Sequence, residues 1–288
     1  MKILVTGGRG RIGTRSVLRL VGLGHEVVSA DTAETLGAAA DPREVELDIR
    51  DLEAVTAAAQ GCEAIVHAGA IPGDRDGQMP LVLATNVDGT LNVLLAAADL
   101  GITRIVAFSS INAIGVVGRH GNPPDRLPFD DTHPHRPYPG YQLSKHLGEE
   151  ACTAFANAYG MTIVSLRPVA VLNETRYEGW RAGHGHDIDW VRREFGAYVD
   201  VEDVVDAVVA GLAVEGIGHN AVLLAADDTG MTEPTADLAA AVFPDIPWVG
   251  TTLAEWLADD PHRGFIDTRG ARELLGWRAT RGWRTPPG

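Results

Sequence analysis

The chain has 288 residues and a formal net charge of −15, from 24 Lys and Arg residues against 39 Asp and Glu residues. An acidic chain without a basic run argues against nonspecific binding to nucleic acid or to anionic membranes, because both need clustered cations. With 45% hydrophobic and 22% charged residues, the composition is that of a globular protein and excludes disorder for most of the chain.

The first half of the sequence alternates short strands with helices. The predicted strands are residues 2–6, 26–30, 45–47, 64–68, 105–109 and 162–166, and the clearest predicted helices are residues 12–23, 52–59 and 81–100. Buried parallel strands separated by helices are typical of an α/β fold with a doubly wound parallel sheet.

After Pro168 the alternation loosens, beginning with a polar and aromatic segment at 173–194. The later predicted elements are a helix at 201–214 behind Asp200, a strand at 220–225 and helices at 232–242, 252–257 and 267–275. The last helix is predicted to have Asp267 as N-cap and to end at Gly276. We expect these elements, together with residues 115–140, to form a small lobe that shares a cleft with the sheet.

Three features bear on the compartment of the protein. The stretch 204–214, the best membrane candidate, is short and contains Asp206, so we expect no membrane span. The N-terminal MKILVTGG lacks the long apolar segment and cleavage site of a signal peptide, which predicts a cytoplasmic protein. Cys62 and Cys152 stand in no metal-binding pattern and are expected to be reduced thiols.

A glycine-rich motif, TGGRGRIG at residues 6–13, directly follows the first strand and opens a helix. Gly7, Gly10 and Gly13 allow a tight turn, close approach of the backbone to a pyrophosphate, and close packing of helix on sheet. Because the helix N-terminus also attracts negative charge, the motif with Arg11 and Ile12 predicts a dinucleotide site. The alternative interpretation is an ordinary glycine-rich turn that binds no ligand.

Asp31 ends the second strand, 18 residues after Gly13. A carboxylate there accepts hydrogen bonds from the ribose hydroxyls of NAD and repels the 2′-phosphate of NADP, which favours NAD. Two alternatives stay open. Asp31 could be an ordinary strand-end or N-cap residue, and Arg9 could pair with a 2′-phosphate and permit NADP.

Other strand ends are expected to line the same crevice, because ligands of open α/β sheets lie across the carboxyl ends of the strands. The candidates there are Asp48, Ile49, Ala68, Gly69 and Ala70. His67 is as consistent with a structural histidine as with a contact. Asn86, in the following helix, is a candidate that could equally bond backbone carbonyls or face solvent.

Tyr141 and Lys145 are four residues apart, so on a helix they share a face. A nearby ammonium lowers the pKa of a phenol from about 10 towards neutrality, which makes the tyrosine a usable acid and base. Ser110 ends the preceding strand, 31 residues before Tyr141, and could hold a substrate oxygen against the phenol.

These motifs together resemble the extended short-chain dehydrogenase/reductase family, also called the NAD-dependent epimerase/dehydratase family. The motifs that carry the resemblance are TGGRGRIG, Asp31, LDI at 47–49, VHAGA at 66–70, NVDGTLNVL at 86–94, SS at 109–110, YQLSK at 141–145 and LRP at 166–168. Weaker matches are YVDVEDVVDAV at 198–208 and ARELLGW at 271–277.

The resemblance implies a Rossmann-type doubly wound sheet with a small C-terminal substrate lobe, and a homodimer formed through residues 81–100 and 141–159. It implies an NAD-binding domain at 1–170, its sheet completed by segments near 198–226, and a mainly substrate-binding lobe at 171–288. Catalysis is expected from Ser110, Tyr141 and Lys145. Tyr141, Lys145, Asn86 and Pro168 also become expected cofactor contacts.

Departures from the family's patterns bear on the reaction. Sugar-nucleotide dehydratases carry an Asp-Glu pair where this chain has Ile111 and Asn112, which argues against dehydration. Epimerases for UDP-sugars resemble the first half of the chain but have a longer substrate lobe. Uronate dehydrogenases are compact and resemble residues 109–115, although Pro72, Ile111 and Ala170 replace polar residues of their substrate site.

The segment 173–194 is rich in arginine for so acidic a chain. It contains Arg176, Arg181, Arg192 and Arg193. Either these residues bind an anionic substrate, with Arg176 contacting a carboxylate, or they pair with the plentiful acidic side chains. His184 and His186 have no third ligand at suitable spacing, so no metal is expected. The expected substrate contacts are Ser110, Ile111, Asn112, Asn173 and Arg176.

We therefore expect an NAD-dependent oxidoreductase that transfers a hydride at a hydroxyl of a sugar or sugar acid. The alternative enzyme is a nucleotide-sugar epimerase, which would use the same residues. A non-catalytic NAD-binding sensor is a further alternative, disfavoured by the Tyr/Lys pair.

Overall fold

A computed structural model describes residues 1–37, 41, 43–74, 76–118, 121–183 and 187–284. The strands are β1 (Lys2–Thr6), β2 (Glu26–Asp31), β3 (Glu44–Glu46), β4 (Ala64–His67), β5 (Arg104–Phe108), β6 (Thr162–Pro168), β7 (Ala170–Leu172), β8 (Tyr198–Asp200) and β9 (His219–Leu224). The main sheet has seven strands in the order β3-β2-β1-β4-β5-β6-β9. Its pairings from β3 across to β6 are parallel, which confirms the predicted Rossmann-type α/β fold.

Helices connect these strands. They are α1 (Arg11–Gly22), α2 (Ala33–Leu36), α3 (Leu52–Ala59), α4 (Met79–Leu83), α5 (Gly89–Leu100), α6 (Tyr141–Tyr159), α7 (Glu174–Arg181), α8 (Ile188–Glu194), α9 (Val201–Ala213), α10 (Thr235–Val242), α11 (Leu253–Trp256) and α12 (Arg269–Leu275). A π-helical turn, Ala84–Asp88, joins α4 to α5, and a short 3₁₀-helix, Ile111–Ile114, follows β5.

The chain divides into two compact units. The first unit comprises Met1–Ser109, Tyr138–Leu166 and Val205–Ala221, and the second comprises Ser110–Pro137, Arg167–Val204 and Val222–Gly288. In the first unit the apolar faces of the central strands and of α3, α5 and α6 form one core, which includes Leu4, Val55, Ile65, Leu94 and Ile163.

The second unit has an aromatic core. Trp180 packs edge-on against Tyr198 and Trp283, and Trp190 lies 5.5 Å from it between ring centroids. The Trp283 indole N–H donates to the carbonyl of Thr229 at 2.9 Å, so its polar edge is satisfied inside this core. The aromatic residues of 173–194 are therefore packing residues of this unit.

Several elements differ from the sequence expectations. The helix predicted at 267–275 begins at Arg269 with Thr268 as N-cap, so the predicted N-cap Asp267 is one residue too early. Asp267 still accepts a hydrogen bond from the Arg269 N–H at 3.0 Å. Gly276 ends the helix in the left-handed conformation, φ 63°, as predicted. The short parallel pair β7–β8 was not expected from the sequence.

Among the described residues, the one helical run that is long and apolar enough to cross a membrane is Met79–Leu100, and not the stretch 204–214 to which the sequence pointed. By length and composition it could cross a membrane, and 44% of its most apolar window is buried inside the protein. Its polar residues Asn86 and Thr90 are buried and hydrogen-bonded within the first unit. Through these contacts the helical run packs within the first unit.

Candidate active site

The glycine-rich turn between β1 and α1 is tightly packed. A Cβ on Gly7, at φ 67°, would lie 2.7 Å from the backbone nitrogen of Gly69, and a Cβ on Gly13 would lie 2.0 Å from the carbonyl oxygen of Gly7. Gly10 is the N-cap of α1 and provides no side-chain capping bond. The helix therefore begins with backbone N–H groups that are suited to an anion.

A cleft of about 440 Å³ lies at the carboxyl ends of β1, β2 and β4. Eight of the predicted cofactor residues line it: Gly7, Gly10, Asp31, Asp48, Ile49, Ala68, Gly69 and Ala70. The lining also includes residues that the sequence analysis did not assign to the cofactor: Thr32, Glu34, Thr35, Leu47, Arg50, Ile71, Pro72, Leu81 and Thr85. Five of these nine directly adjoin a predicted cofactor residue, so including the neighbours of each predicted residue would have found them.

Asp31 lies at the end of β2 on the wall of the cleft. Its Oδ2 accepts a hydrogen bond from the Arg9 backbone N–H at 2.9 Å, and its Oδ1 accepts one from the Thr32 N–H at 2.8 Å. Each oxygen keeps a further lone pair for a ligand hydroxyl. The Arg9 guanidinium is paired with Glu44, to which its Nη2 donates at 2.9 Å.

Asp48 and Arg50 form an ion pair on the next part of the cleft wall. The Arg50 Nε donates to both Asp48 carboxylate oxygens, at 2.9 and 3.0 Å. These charge-assisted hydrogen bonds lower the pKa of Asp48 below its usual value, so the group stays ionised at neutral pH.

His67, at the end of β4, is a satisfied structural histidine. Its Nδ1 lies 2.8 Å from Thr6 Oγ1, and its Nε2 lies 3.1 Å from Thr90 Oγ1. Since the Thr90 hydroxyl donates to the carbonyl of Asn86, we assign the ring proton to Nε2. Burial lowers the pKa of His67 to about 3, which keeps the ring neutral.

Asn86 supports the cleft from behind. Its Oδ1 accepts from the Ile71 N–H at 2.8 Å, and its Nδ2 donates to the Ile71 carbonyl at 3.1 Å and to Ser144 Oγ at 3.0 Å. The side chain thus connects the loop after β4 to helix α6. Asn86 is not among the lining residues described for the cleft.

Helix α6 presents Tyr141 and Lys145 on one face. The Lys145 Nζ lies 5.8 Å from the centroid of the Tyr141 ring and donates to the carbonyl of Phe108 at 2.8 Å. The helix begins at Tyr141, whose N–H donates to Asp74 Oδ1 at 2.7 Å. Desolvation of the ammonium lowers the pKa of Lys145 to about 8, which leaves it mostly charged at neutral pH.

Glu149 lies one helical turn beyond Lys145 and is buried, with 4% of the residue exposed. It accepts a hydrogen bond from Ser109 Oγ at 2.5 Å. Its negative charge opposes the effect of desolvation and raises the pKa of Lys145. Glu149 therefore helps to keep the ammonium charged, a role that the sequence analysis missed although the carboxylate stands at helical spacing from Lys145.

Ser110, Ile111 and Asn112 belong to the second unit. Ser110 is the N-cap of the 3₁₀-helix, and its Oγ accepts hydrogen bonds from the backbone N–H and the side-chain Nδ2 of Asn112, at 3.2 and 3.3 Å. Ser110 and Ile111 are buried. Pro168, also in the second unit, ends β6.

The arginines of 173–194 differ from one another in their surroundings. Arg181 pairs with Glu174, and Arg192 pairs with Asp189, as the solvated interpretation predicts. Arg176 is exposed on α7, and Asn173 is the N-cap of that helix. His184 and His186 lie outside the described residues. Among the described residues, no cluster of His, Cys, Asp or Glu is placed to hold a metal ion.

The first unit fits a dinucleotide. Backbone atoms approach so closely at Gly7 and Gly13 that side chains there would fill the space inside the glycine-rich turn, which we call the glycine cradle. Helix α1 begins beside this cradle without a capping side chain. The cleft has the size of a cofactor site and carries a carboxylate at the end of β2, where a ribose is bound in this fold.

A family model described as the NAD dependent epimerase/dehydratase family matches residues 3–223. The uronate dehydrogenase of Pseudomonas putida is 28% identical over 230 residues, which are 79% of this chain and 77% of that protein. The UDP-glucose 4-epimerase of Mycolicibacterium smegmatis is 30% identical over 302 residues, covering 96% and 93% of the two chains.

A solved short-chain dehydrogenase/reductase superfamily protein from Agrobacterium tumefaciens, with bound NAD, superposes with a TM-score of 0.71 at 24% identity. The superposition covers 99% of this chain and 94% of that one. It confirms the fold, while the family match covers well over half of the chain and confirms the expected enzyme class and its cofactor, NAD. The chain belongs to the NAD-dependent epimerase/dehydratase family.

Proposed function

We propose that the protein is a dehydrogenase that oxidises a hydroxyl group of a sugar or sugar acid with NAD. The observation that carries this proposal is the Tyr141–Lys145 pair on α6, in the same unit as the glycine cradle. A non-catalytic family member would keep the glycine-rich turn that binds the dinucleotide. It would not need a desolvated ammonium beside a phenol, which is an arrangement for proton transfer.

Tyr141 is the proposed acid and base. Its phenolate takes the hydroxyl proton at Oη, and the Lys145 ammonium stabilises that phenolate by its charge. Bound NAD supplies the acceptor for the hydride that leaves the same carbon atom. Ser110 is proposed to hold the substrate oxygen, in line with its place directly after Ser109 in the family's motif.

For the cofactor, we propose that the turn from Gly7 to Gly13, including Arg11 and Ile12, binds the pyrophosphate. Asp31 would bind the adenosine ribose, and Asp48 and Ile49 the adenine. Lys145 would bind the nicotinamide ribose, and Pro168 would contact the cofactor. We assign Asn86 a supporting role, because its side chain holds Ile71 and Ser144.

A sugar acid is the favoured substrate class, since the relative from Pseudomonas putida is a uronate dehydrogenase. Arg176 is the proposed carboxylate contact, with Ile111, Asn112 and Asn173 as further substrate residues. We assign cofactor binding mainly to the first unit and substrate binding mainly to the second.

The test is a turnover screen of uronic acids, aldoses and nucleotide sugars with NAD, on the wild type and on Tyr141→Phe. We expect kcat to fall about 100-fold or more with little change in NAD affinity, because a proton-transfer group is lost. Tyr138→Phe is the matched control, since Tyr138 is an exposed phenol three residues earlier. Unchanged turnover in Tyr141→Phe would disprove the mechanism.

A second candidate is a nucleotide-sugar epimerase, favoured by the 30% identity to a UDP-glucose 4-epimerase over 96% of the chain. An epimerase regenerates NAD in each turnover and gains by retaining it, whereas a dehydrogenase must release NADH. Stoichiometric NAD after gel filtration, with no net NADH formed on any sugar, would establish the epimerase.

We further propose a cytoplasmic homodimer. The two cysteines, Cys62 and Cys152, are buried free thiols, which suits a reducing compartment. Leu95 on α5 and Leu147 on α6 are exposed at 37% and 38%, and the two helices are neighbours. Light scattering should show a dimer that Leu147→Glu dissociates and that Leu18→Glu, at an exposed position of α1, leaves intact.

A further inference from the structure

The ion pair between Arg9 and Glu44 bears on the choice between NAD and NADP. The Arg9 backbone N–H donates to Asp31 Oδ2 at 2.9 Å, which places Arg9 at the end of β2. Its guanidinium donates from Nη2 to Glu44 Oε2 at 2.9 Å, and its Nε contacts Glu44 Oε1. Glu44 thus engages the guanidinium through both carboxylate oxygens.

Within this pair the Glu44 side chain is shielded from solvent, with 10% of it exposed, whereas 39% of the Arg9 side chain is exposed. The hydrogen bond to Glu44 is the largest cause that raises the pKa of Arg9. A guanidinium binds a phosphate with the same planar fork that it offers to a carboxylate. Glu44 occupies the Nε and Nη2 edge, so Arg9 could offer that fork to a 2′-phosphate only by leaving Glu44, which would leave a shielded carboxylate without its counter-ion.

We propose that Glu44 is a specificity-determining residue, which enforces the use of NAD by holding Arg9 away from a 2′-phosphate. Asp31 is the expected determinant, but both of its oxygens already accept backbone N–H groups, which offset part of its charge. With Arg9 free, the site would offer a cation directly beside Asp31. The inference deepens the proposed function and rests on its dinucleotide site.

The experiment measures dissociation constants for NAD⁺ and NADP⁺ by calorimetry at one fixed ionic strength. In Glu44→Gln, the affinity for NADP⁺ should rise relative to that for NAD⁺ by about tenfold or more. Adding Arg9→Ala to this variant should cancel the gain. Glu46→Gln, an exposed carboxylate on the same strand, removes an equal charge and should change the ratio by less than about threefold.

Arg9→Ala alone covers the case in which Glu44→Gln does not fold. Because Arg9 is already engaged, its loss should change NADP⁺ affinity by less than about threefold. A large loss would mean that Arg9 already binds the phosphate, which overturns the inference. It is also overturned if Glu44→Gln leaves the ratio unchanged, if Glu46→Gln shifts it equally, or if the double variant keeps the gain.

These outcomes separate the two proposals. If the wild type binds NAD⁺ and only the ratio in Glu44→Gln fails to change, this inference falls and the proposed function stands. If the wild type binds neither dinucleotide, both fall.

Discussion

Replacing Gly13 with alanine should damage both the fold and the cofactor site. The new Cβ would lie 2.0 Å from the carbonyl oxygen of Gly7 and 2.8 Å from its carbonyl carbon. These are backbone atoms of the same turn, so the clash is relieved only if the turn moves. Overpacking costs about 1–3 kcal/mol, and a clash at 2.0 Å with backbone falls in the upper part of that range, about 2–3 kcal/mol, against a gain of about 1 kcal/mol in helix propensity.

We therefore expect a net loss of about 1–2 kcal/mol in the free energy of unfolding. Since ~1 kcal/mol corresponds to roughly 2–4 °C for a protein of this size, the melting temperature should fall by about 2–8 °C. Moving the turn also displaces the N-terminus of α1 from the pyrophosphate position. The NAD dissociation constant should rise about tenfold or more, which corresponds to about 1.4 kcal/mol.

Gly22→Ala is the matched control, because it makes the same substitution at the other end of α1. Gly22 is exposed, and a Cβ there would meet nothing within 4 Å. Calorimetric unfolding and NAD titration of the two variants should show no loss in Gly22→Ala. The reasoning is refuted if Gly13→Ala keeps the wild-type melting temperature and NAD affinity, or if both variants lose equally.

Three further predictions concern acid stability, catalysis and substrate binding. Burial holds the pKa of His133 at about 4 and that of His67 at about 3, against about 6.5 when unfolded. The unfolded chain therefore binds more protons below pH 6.5, and urea unfolding at pH 5 should show about 2 kcal/mol less stability per histidine than at pH 7. In His133→Phe, the stability lost between pH 7 and pH 5 should be smaller by the contribution of His133. If this variant loses as much stability as the wild type, the prediction for His133 is wrong. In Glu149→Gln, the pKa of Lys145 should fall because a nearby negative charge is lost. The alkaline limb of the pH profile of kcat/KM should therefore move to lower pH. An unchanged alkaline limb would show that Glu149 does not help to keep Lys145 charged. Arg176→Ala should raise KM for a uronic acid far more than it lowers kcat. Arg192→Ala is the control, because it breaks a surface ion pair with Asp189, and it should leave KM unchanged. Equal effects of the two substitutions would show that Arg176 does not bind the substrate.

The cofactor cleft could be predicted from the sequence because its residues follow strands in chain order. The motif at 6–13, Asp31 and the residues after β3 and β4 are local signals whose positions a parallel sheet fixes. The Arg9–Glu44 pair could not be predicted in the same way. It joins residues 35 positions apart through the register of β2 and β3, which no local pattern encodes.

The segment 173–194 shows the converse limit. Its four arginines left two interpretations open, an anion site or pairing with acidic side chains, and its aromatic residues Tyr177, Trp180 and Trp190 are buried packing residues of the second unit. Arg181 and Arg192 have carboxylate partners. An unusual composition indicates that a segment is specialised, but whether it packs or binds depends on which side chains the tertiary fold buries.

The polar residues behind the cleft connect the glycine-rich turn and the loop after β4 to helix α6 within the first unit. The Gly69 N–H donates to Thr6 Oγ1, and Thr6 bonds His67. The chain of hydrogen bonds continues through Thr90 to Asn86, whose amide holds both Ile71 and Ser144 of α6. A buried network of this kind is stabilising only if every member is satisfied, and the low pKa of His67 keeps its ring in the neutral form that the network needs. His67 and Asn86 therefore hold the backbone around the cleft in place. A sequence pattern can place such residues beside the cleft, but it cannot distinguish a supporting side chain from one that contacts a ligand.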